Sequence, residues 1–528
     1  MRDEVVITTQ SGRVRGARVD SVVCFKGIPY AEPPVGSRRF RSPTRARSWV
    51  GIRDALQFGP APIQEPTLRR AYPFGAIDST SEDCLTLNVW TPVDAVQLPV
   101  IVWIHGGGFR TGAGSMPAYD GVNYAATGRV VFVSINYRLG ALGFLAHESL
   151  RDPDTGAFAN WAIQDQVLAL RWVQENIAAF GGDPRQVTVM GESGGAINAI
   201  MIAHGTQGRS LLQRIIAMSP PYICPPATMD INDWHLAAES VARELGTTVP
   251  GLRDVPAEAV HAAEWRQYVQ GALKTRSGRA YRGTAVDGVV LDAWPIQHSL
   301  PLVPMIIGCT AAEGAMGYEC YHPISKEPIS RSRVTNDALA ARAEARALLN
   351  RLYYIEGDED AADEVVAHYL ARAKTEGRRD DMIRMLVELN GDTMIRHYCV
   401  RQAEQAARSG RTDIFFYHYG LPVAAPNHEP PHAWELPVAF GTHRNPVIAP
   451  WVGNGPLHDA VATAMIEAFS TFAASGRPGA AELPDWPAFR APGSGVMLLG
   501  EGDTVGRVAE LPKYAQLRVL DSLAARRP

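Results

Sequence analysis

At 528 residues the chain is long enough, at roughly 150 residues per domain, for about three domains or one enlarged α/β domain. Hydrophobic residues make up 46% and charged residues 20%, so a large core is available and intrinsic disorder is excluded. The net charge of −4 comes without a basic stripe, which argues against nucleic acid or an anionic membrane surface as a partner. Six cysteines, Cys24, Cys84, Cys224, Cys309, Cys320 and Cys399, lack CxxC spacing, which argues against a zinc site or a thioredoxin-type pair.

The N-terminus runs from Met1-Arg2-Asp3-Glu4 straight into the strand-like Val5-Val6-Ile7-Thr8-Thr9, with no charged n-region and apolar h-region of a secretory signal. Apolar stretches such as Pro99–Ile104 and Val130–Ile135 are far shorter than the ~20 residues of a membrane helix, and no Asn-x-Ser/Thr sequon occurs. These features lead to the expectation of a cytoplasmic protein with no membrane association. Short runs that are apolar on consecutive positions follow: Val100–Ile104, Val130–Ile135, Val187–Met190, Ile215–Met218 and Met305–Ile307. They read as parallel strands buried on both faces. Between the second and third, Ile163, Val167, Leu170, Val173 and Ile177 recur at helical spacing up to the stop at Gly181-Gly182, which predicts a strand, helix, strand unit. Residues 227–269 and 325–409 read as helical insertions over the sheet, because no Gly/Ser or Pro linker sets them apart, and Asp413–Tyr417 reads as a further strand. The expected architecture is α/β, a single domain over residues 1–528 with a largely parallel sheet and helical cap insertions.

Gly191-Glu192-Ser193-Gly194-Gly195 follows a predicted strand and opens the helical pattern Ala196–Ala203. Glycines on both sides of a serine permit the sharp turn that lifts a hydroxyl out of the end of a sheet and aims the next N–H at the same spot. The plainer reading is a helix N-terminus with a capping serine. His105-Gly106-Gly107-Gly108-Phe109 follows another strand, and adjacent glycines let backbone N–H groups face a cavity, as an oxyanion hole requires. A tight turn is the alternative; a phosphate loop is disfavoured because neither G-x-x-x-x-G-K-[ST] nor a complete dinucleotide fingerprint is present. A serine nucleophile needs a base and an orienting acid. Of 14 histidines, His428 and His432 both lie in or just past the Pro-rich loop after the late strand, and the residues alone do not separate them. His418 lies inside that strand and reads as core. Glu313, in the turn Cys309–Gly314, is the leading acid, with Asp287 and Glu319 as rivals.

Taken in order, the motifs resemble those of the type-B carboxylesterases, α/β-hydrolases that include cholinesterases, animal liver carboxylesterases and bacterial para-nitrobenzyl esterases. The resemblance runs from Phe25–Ala31 and Pro33–Gly36 through Ser81–Val89, Trp103–Phe109, Asn136–Gly140, Trp172–Ile177 and Phe180–Pro184 to the serine turn, then to His432–Gly441 and Phe472–Pro478. It implies an α/β-hydrolase fold and a serine carboxylesterase acting on a small ester and water, without cofactor or metal. By the same resemblance Ser193 is the nucleophile, Glu313 the acid and His432 the base. Gly107, Gly108 and Gly194 are then the oxyanion donors, and Glu192 and Ser219 support the histidine and the acid. For Glu192 and Ser219 the plainer readings are a solvated helix-start carboxylate and a strand-end hydroxyl.

Three departures from the family pattern stand out. Pro62 occupies the place of the cysteine that usually pairs with the one at Cys84; Gly194 stands where alanine is commoner; and Met218-Ser219-Pro220-Pro221 replaces the usual Ser-Gly, which bears on the pocket wall. Amide or carbamate hydrolysis, or acyl transfer or cyclisation, is the alternative chemistry. A catalytically dead, neuroligin-like binding protein is the alternative class, set aside because serine, acid and base are all kept. The sequence fixes no oligomeric state. With the first family disulfide ruled out by Pro62, titration of the denatured protein with a thiol reagent is expected to find six free thiols; four or fewer would reveal a bridge and argue for an exported protein.

Overall fold

A computed structural model describes residues 4–65, 74–205, 207–221, 231–269, 283–293, 299–321, 328–331, 338–353, 359–375, 381–424 and 428–524. Two compact units are formed, one from Met1–Ala217, Ala227–Pro304 and Phe469–Arg477, the other from Met218–Pro226, Met305–Ala468 and Pro478–Pro528.

In the first unit the strands are β1 (Glu4–Thr9), β2 (Gly12–Val19), β3 (Val22–Pro29), β4 (Thr86–Pro92), β5 (Leu98–Ile104), β6 (Val131–Ile135), β7 (Gly182–Glu192) and β8 (Arg214–Met218). They lie side by side as β1-β2-β3-β4-β6-β5-β7-β8. Pairs from β1 across to β6 are antiparallel, and β5 is parallel to both β6 and β7. The consecutive apolar runs Val100–Ile104, Val130–Ile135 and Val187–Met190 fall in this parallel part, where Val100–Ile104, Val131–Val133 and Val189 are fully buried. The predicted strand, helix, strand unit differs in one respect: β6 and β7 are not neighbours. Val102 of β5 sits between Val133 and Val189, so the connection through helix α1 (Trp161–Asn176) steps over a strand. After α1 one 3₁₀ turn, Ile177–Phe180, leads to Gly181 at φ +79°, which ends the helix as expected, while Gly182 already belongs to β7.

Helix α2 (Gly194–His204) follows β7. Helices α3 (Ile231–Glu244) and α4 (Ala257–Val269) form the first predicted insertion; its first residues, 227–230, lie outside the described residues. Val241, Leu252 and Val260 share an apolar cluster with Phe40, Ile63, Leu142 and Trp161. Arg39 fastens this insertion from the side, donating to the Leu252 carbonyl at 2.7 Å and pairing with Glu82 through both carboxylate oxygens.

In the second unit β9 (Met305–Thr310), β10 (Ile414–Tyr419), β11 (Val496–Leu499) and β12 (Gly506–Ala509) pair in that order, the first two pairs parallel and the last antiparallel. The same unit carries helices α5 (Ala338–Tyr353), α6 (Glu359–Thr375), α7 (Asp381–Gly391), α8 (His397–Arg408) and α9 (Tyr514–Ala524). Leu348, Val366, Leu386, Leu389 and Leu520 form a common core. Four of these helices are the second predicted insertion, which is not wholly helical: a hairpin of Glu319–Tyr321 and Pro328–Arg331 precedes them, and 325–327, 332–337, 354–358 and 376–380 lie outside the described residues. Among the described residues no helix is long and apolar enough to cross a membrane.

The loop leaving β6 is locked to α1 by Arg138 and Asp165, which are 3% and 0% exposed. Nη2 and Nε of Arg138 meet the two carboxylate oxygens at 2.6 and 2.8 Å, the Arg138 N–H adds a third bond at 3.1 Å, and Nη1 donates to the Arg41 carbonyl at 3.0 Å. Burial works against the Arg138 charge, but Asp165 outweighs it and raises the guanidinium above its ordinary value. Removing one partner of a buried pair strands the other charge, so Asp165→Ala is expected to cost about 3–5 kcal/mol in denaturant unfolding, whereas Arg138→Met with Asp165→Leu costs far less. A single variant within about 1 kcal/mol of wild type would show that the pair is solvated.

Candidate active site

Between β7 and α2 the backbone turns on Ser193, at φ +51° and ψ −121°. A non-glycine residue there is strained and must be held from both sides. Bare chain permits the approach: a Cβ on Gly191 would lie 2.5 Å from the Gly195 carbonyl, and one on Gly195 would overlap the Ile104 carbonyl at the end of β5. Helix α2 begins at Gly194 itself, and the Ser193 carbonyl accepts the Ile197 N–H at 3.1 Å. Ser193 remains partly exposed between buried neighbours. At Gly194, where the family more often has alanine, an added Cβ would sit tightly, 3.3 Å from the Phe109 ring.

Beyond β5, His105 is fully buried and stacks on Tyr137 with ring centroids 4.4 Å apart; the Tyr137 hydroxyl donates to the His105 carbonyl at 2.7 Å. Burial pulls the imidazole down to about 4 against the opposing bond with the Gly106 carbonyl, so it is neutral at neutral pH. Gly106 needs no side chain because the Glu192 carboxylate packs there, and Glu192 is 2% exposed, which rules out the solvated reading. Gly107 and Gly108 have φ of +106° and +61°. The Gly107 carbonyl accepts the N–H groups of Arg110 and Thr111, both at 3.1 Å. Since a trans peptide places C=O and N–H on opposite sides of one plane, the Gly108 N–H points away from those donors. Gly108 is exposed. Next in the chain, Arg110 pairs with Glu264 of α4 at 2.6 Å and lies 4.0 Å over the Tyr268 ring, tying the first insertion to this loop.

The expected acid and base, Glu313 and His432, meet in the second unit. Glu313 follows β9 in the turn that Gly314 allows, where a Cβ would overlap the Val387 carbonyl. Its Oε2 lies 2.6 Å from Nδ1 of His432, and its Oε1 accepts the Ser219 hydroxyl at 2.6 Å and the Thr310 N–H at 2.7 Å. Burial raises this carboxyl, but the His432 charge and the bonds from His432, Ser219 and Thr310 outweigh it and leave Glu313 below the ordinary glutamate value. An ionised carboxylate only accepts, so Nδ1 carries the hydrogen and Nε2 of neutral His432 keeps its lone pair. The backbone brings the two residues together: the Ala312 N–H donates to the Pro430 carbonyl at 3.1 Å, and Ala312 bridges Pro431. Arg396 adds a bond at 2.9 Å to the Ala311 carbonyl. Ser219, fully buried at φ +47°, is thus more than a strand-end hydroxyl.

The rival residues go elsewhere. His428 is exposed, and its carbonyl accepts the Val423 N–H. His418 is buried in β10, where burial and then Arg396 and Lys513 hold its pKa far below the imidazole range. Asp287 caps a turn by accepting the N–H groups of Val289, Val290 and Leu291. The Glu319 side chain lies outside those described. One residue was not foreseen: Glu435, with 0% exposure, reaches Ser219 Oγ at 3.4 Å. The available signal was a lone acid three residues after His432, ahead of the apolar stretch Leu436–Phe440.

Cys24, Cys84, Cys309 and Cys399 are buried and unbridged, with burial the main cause pushing Cys24 to about 11, Cys309 to about 12 and Cys84 and Cys399 well above the ordinary thiol value. Cys224 and the Cys320 side chain lie outside those described. Pro62 pairs with Ser81 in a two-residue bridge. Among the described residues no group of three or more His, Cys, Asp or Glu is placed to hold a metal ion.

The carboxylesterase family model matches residues 3–518. The phenmedipham hydrolase of Pseudarthrobacter oxydans is 31% identical over 97% of this chain and 98% of its own length. The para-nitrobenzyl esterase of Bacillus subtilis strain 168 is 30% identical over 97% and 98%. The fumonisin B1 esterase of Sphingopyxis macrogoltabida is 32% identical over 94% and 86%. Among solved structures, a PNB esterase superposes with a TM-score of 0.77 at 29% identity, covering 98% of this chain and 99% of that one. The fold is therefore that of the α/β-hydrolases, with a large, mostly parallel central sheet. By the match along its length and the esterases it resembles, the chain belongs to the carboxylesterase family and is a carboxylic ester hydrolase.

Proposed function

We propose that ester hydrolysis proceeds by two-step acyl transfer through Ser193, His432 and Glu313, with the N–H groups of Gly107, Gly108 and Gly194 receiving the oxyanion. The observation that carries this reading is the 2.6 Å bond between Glu313 and His432 Nδ1, made by a carboxylate that stays ionised although buried. It leaves Nε2 as the proton acceptor. Nε2 takes the Ser193 proton as Oγ attacks the ester carbonyl; the collapsing oxyanion expels the alcohol, which leaves with that proton. Water, deprotonated by the same imidazole, then frees the acid and restores Ser193. Glu313 holds the tautomer and balances the imidazolium, Ser219 holds Glu313, and Glu192 backs the glycine loop. The strained turn at Ser193 and the left-handed Gly107 and Gly108 support the roles of nucleophile and donors.

The substrate class is a small carboxylic ester, with water as co-substrate, and the whole chain acts as one hydrolase domain. A bacterial, cytoplasmic setting is part of the proposal, supported by the bacterial relatives and the four unbridged cysteines.

Ser193→Ala is expected to lower kcat by about 10⁶-fold on a short-chain aryl ester and to abolish fluorophosphonate labelling; labelling that persists would move the nucleophile elsewhere. Turnover of the matching amide at a rate equal to the ester's would overturn the ester preference. The pH profile tests the pair. Activity falls on the acid side as an imidazole protonates, ordinarily near pH ~6.5. Glu313→Gln removes the charge that favours the imidazolium, so the acid limb moves to lower pH while kcat drops by about 10⁴-fold, since an amide NH₂ facing Nδ1 selects the wrong tautomer. An unmoved limb with near-normal kcat would remove Glu313 from the mechanism.

A further inference from the structure

Gln64 lies in a loop far from the serine in sequence, yet it is 1% exposed and its amide bonds to the strip behind the glycine loop. Oε1 accepts the Thr111 hydroxyl at 2.7 Å and the Gly112 N–H at 2.9 Å; Nε2 donates to the Gly112 carbonyl at 3.0 Å and to the Pro62 carbonyl at 2.9 Å. A rotated amide would set donor on donor and acceptor on acceptor, so the orientation is unique. Toward Gly112 the side chain behaves as a neighbouring strand would, binding both sides of one residue. On the other side the space admits no larger residue, because at φ +108° a Cβ on Gly112 would lie 2.5 Å from Nδ1 of His105.

From Gly112 the restraint passes back along the chain. The N–H groups of Thr111 and Arg110 grip the Gly107 carbonyl, and that carbonyl fixes the opposite direction of the Gly108 N–H. Nothing in Gly107 itself would do so, since glycine at φ +106° has other conformations open to it. A second amide braces the same strip: Asn136 accepts the Gly114 N–H at 2.8 Å and donates to the Pro60 carbonyl at 3.2 Å. The Ala61 N–H in turn donates to the Ser79 carbonyl at 3.0 Å.

We infer that Gln64 is a positioning residue for the oxyanion donor at Gly108, acting through Thr111 and Gly112; this rests on the oxyanion role proposed above for the glycine loop. Gln64 touches no reacting atom. Its removal lets the Gly107–Gly108 peptide turn, which weakens a contact made in the transition state and leaves ground-state binding of the ester alone.

The test compares Gln64→Leu, Thr111→Val and Gly107→Pro with wild type, reading kcat, KM, the Ki of an aryl trifluoromethyl ketone as tetrahedral mimic, and melting temperature. Loss of a single oxyanion donor costs about 10²–10³-fold in kcat, so Gln64→Leu is expected to lose about 10- to 100-fold in kcat with KM within about threefold, and to weaken ketone binding in parallel. Thr111→Val, which deletes one of the four bonds without adding charge, shows the same signature at smaller size. A folded Gln64→Leu enzyme with kcat within twofold of wild type overturns the inference. So does a Gln64→Leu variant that unfolds while Thr111→Val keeps kcat and ketone affinity unchanged. Gly107→Pro separates the two levels: it deletes an N–H and cannot hold the loop's φ. If it keeps full activity the oxyanion reading itself falls; if it is inactive while the Gln64 variant turns over normally, only the positioning role falls.

Discussion

A carboxylate with 3% exposure either collects donors or takes up a proton, and the organisation of the second unit follows from how Glu313 meets that demand. Its three partners come from separate segments: the Thr310 N–H at the end of β9, the Ser219 hydroxyl at a left-handed residue, and His432 from a loop more than a hundred positions away. No local motif could supply all three. The bridge between Ala312 and Pro431 therefore matters as much as the side chains, because it holds the histidine loop beside the acid turn whatever the side chains do. Arg396, itself buried against Asp392 at 2.9 Å, grips the same turn from behind through the Ala311 carbonyl.

The first unit solves a different problem, that of bringing backbone close enough to backbone to expose N–H groups. Side chains would prevent it. Gly191 and Gly195 meet over the Ile104 carbonyl, Gly106 leaves room for Glu192, and Gly107 for the Thr111 carbonyl. Bare chain is also pliable, so each glycine that permits a close approach needs an external restraint. The restraints are buried, hydrogen-bonded polar groups, the Gln64 amide, the Asn136 amide and the Tyr137 hydroxyl, which are costly to leave unsatisfied and so favour one geometry.

What could be read from the residues divides along physical lines. The parallel strands were legible because burial on both faces writes consecutive apolar residues, and the serine turn and the glycine loop were legible because glycines at close contacts cannot be replaced. Lateral order was not: pattern records which segments are strands, while the placement of β5 between β6 and β7 depends on long-range pairing. The antiparallel flank from β1 to β4 was half seen, since β1 shows alternating burial and β2 carries arginines along its length. His428 and His432 are equally polar and four positions apart, and only their three-dimensional settings, an exposed loop against a contact with Glu313, tell them apart. Family resemblance chose His432, which bonds to Glu313. Glu435 and Gln64 escaped notice for one shared reason: an acid beside a helix start and an amide in a loop both look like surface until their burial is known.

The two functions the mechanism requires are assembled from different contacts. On the reading proposed above, proton transfer would rest on Glu313, Ser219 and His432, which belong to the second unit, and oxyanion stabilisation on the loop from Gly106 to Gly112 and on Gly194, which belong to the first. On the proposed roles, a change behind the glycine loop alters how strongly the developing negative charge is held but leaves the imidazole's environment as it was. A change around Glu313 does the reverse, moving the protonation of His432 without touching the N–H donors. The two kinds of damage therefore have different kinetic signatures, a loss of affinity for tetrahedral mimics at constant pH profile in one case and a displaced acid limb in the other. Pro62 fits this division. It takes part in a two-residue bridge with Ser81 and gives its carbonyl to Gln64, so the segment that lacks the family's cysteine is still fixed, by hydrogen bonds aimed at the loop it backs.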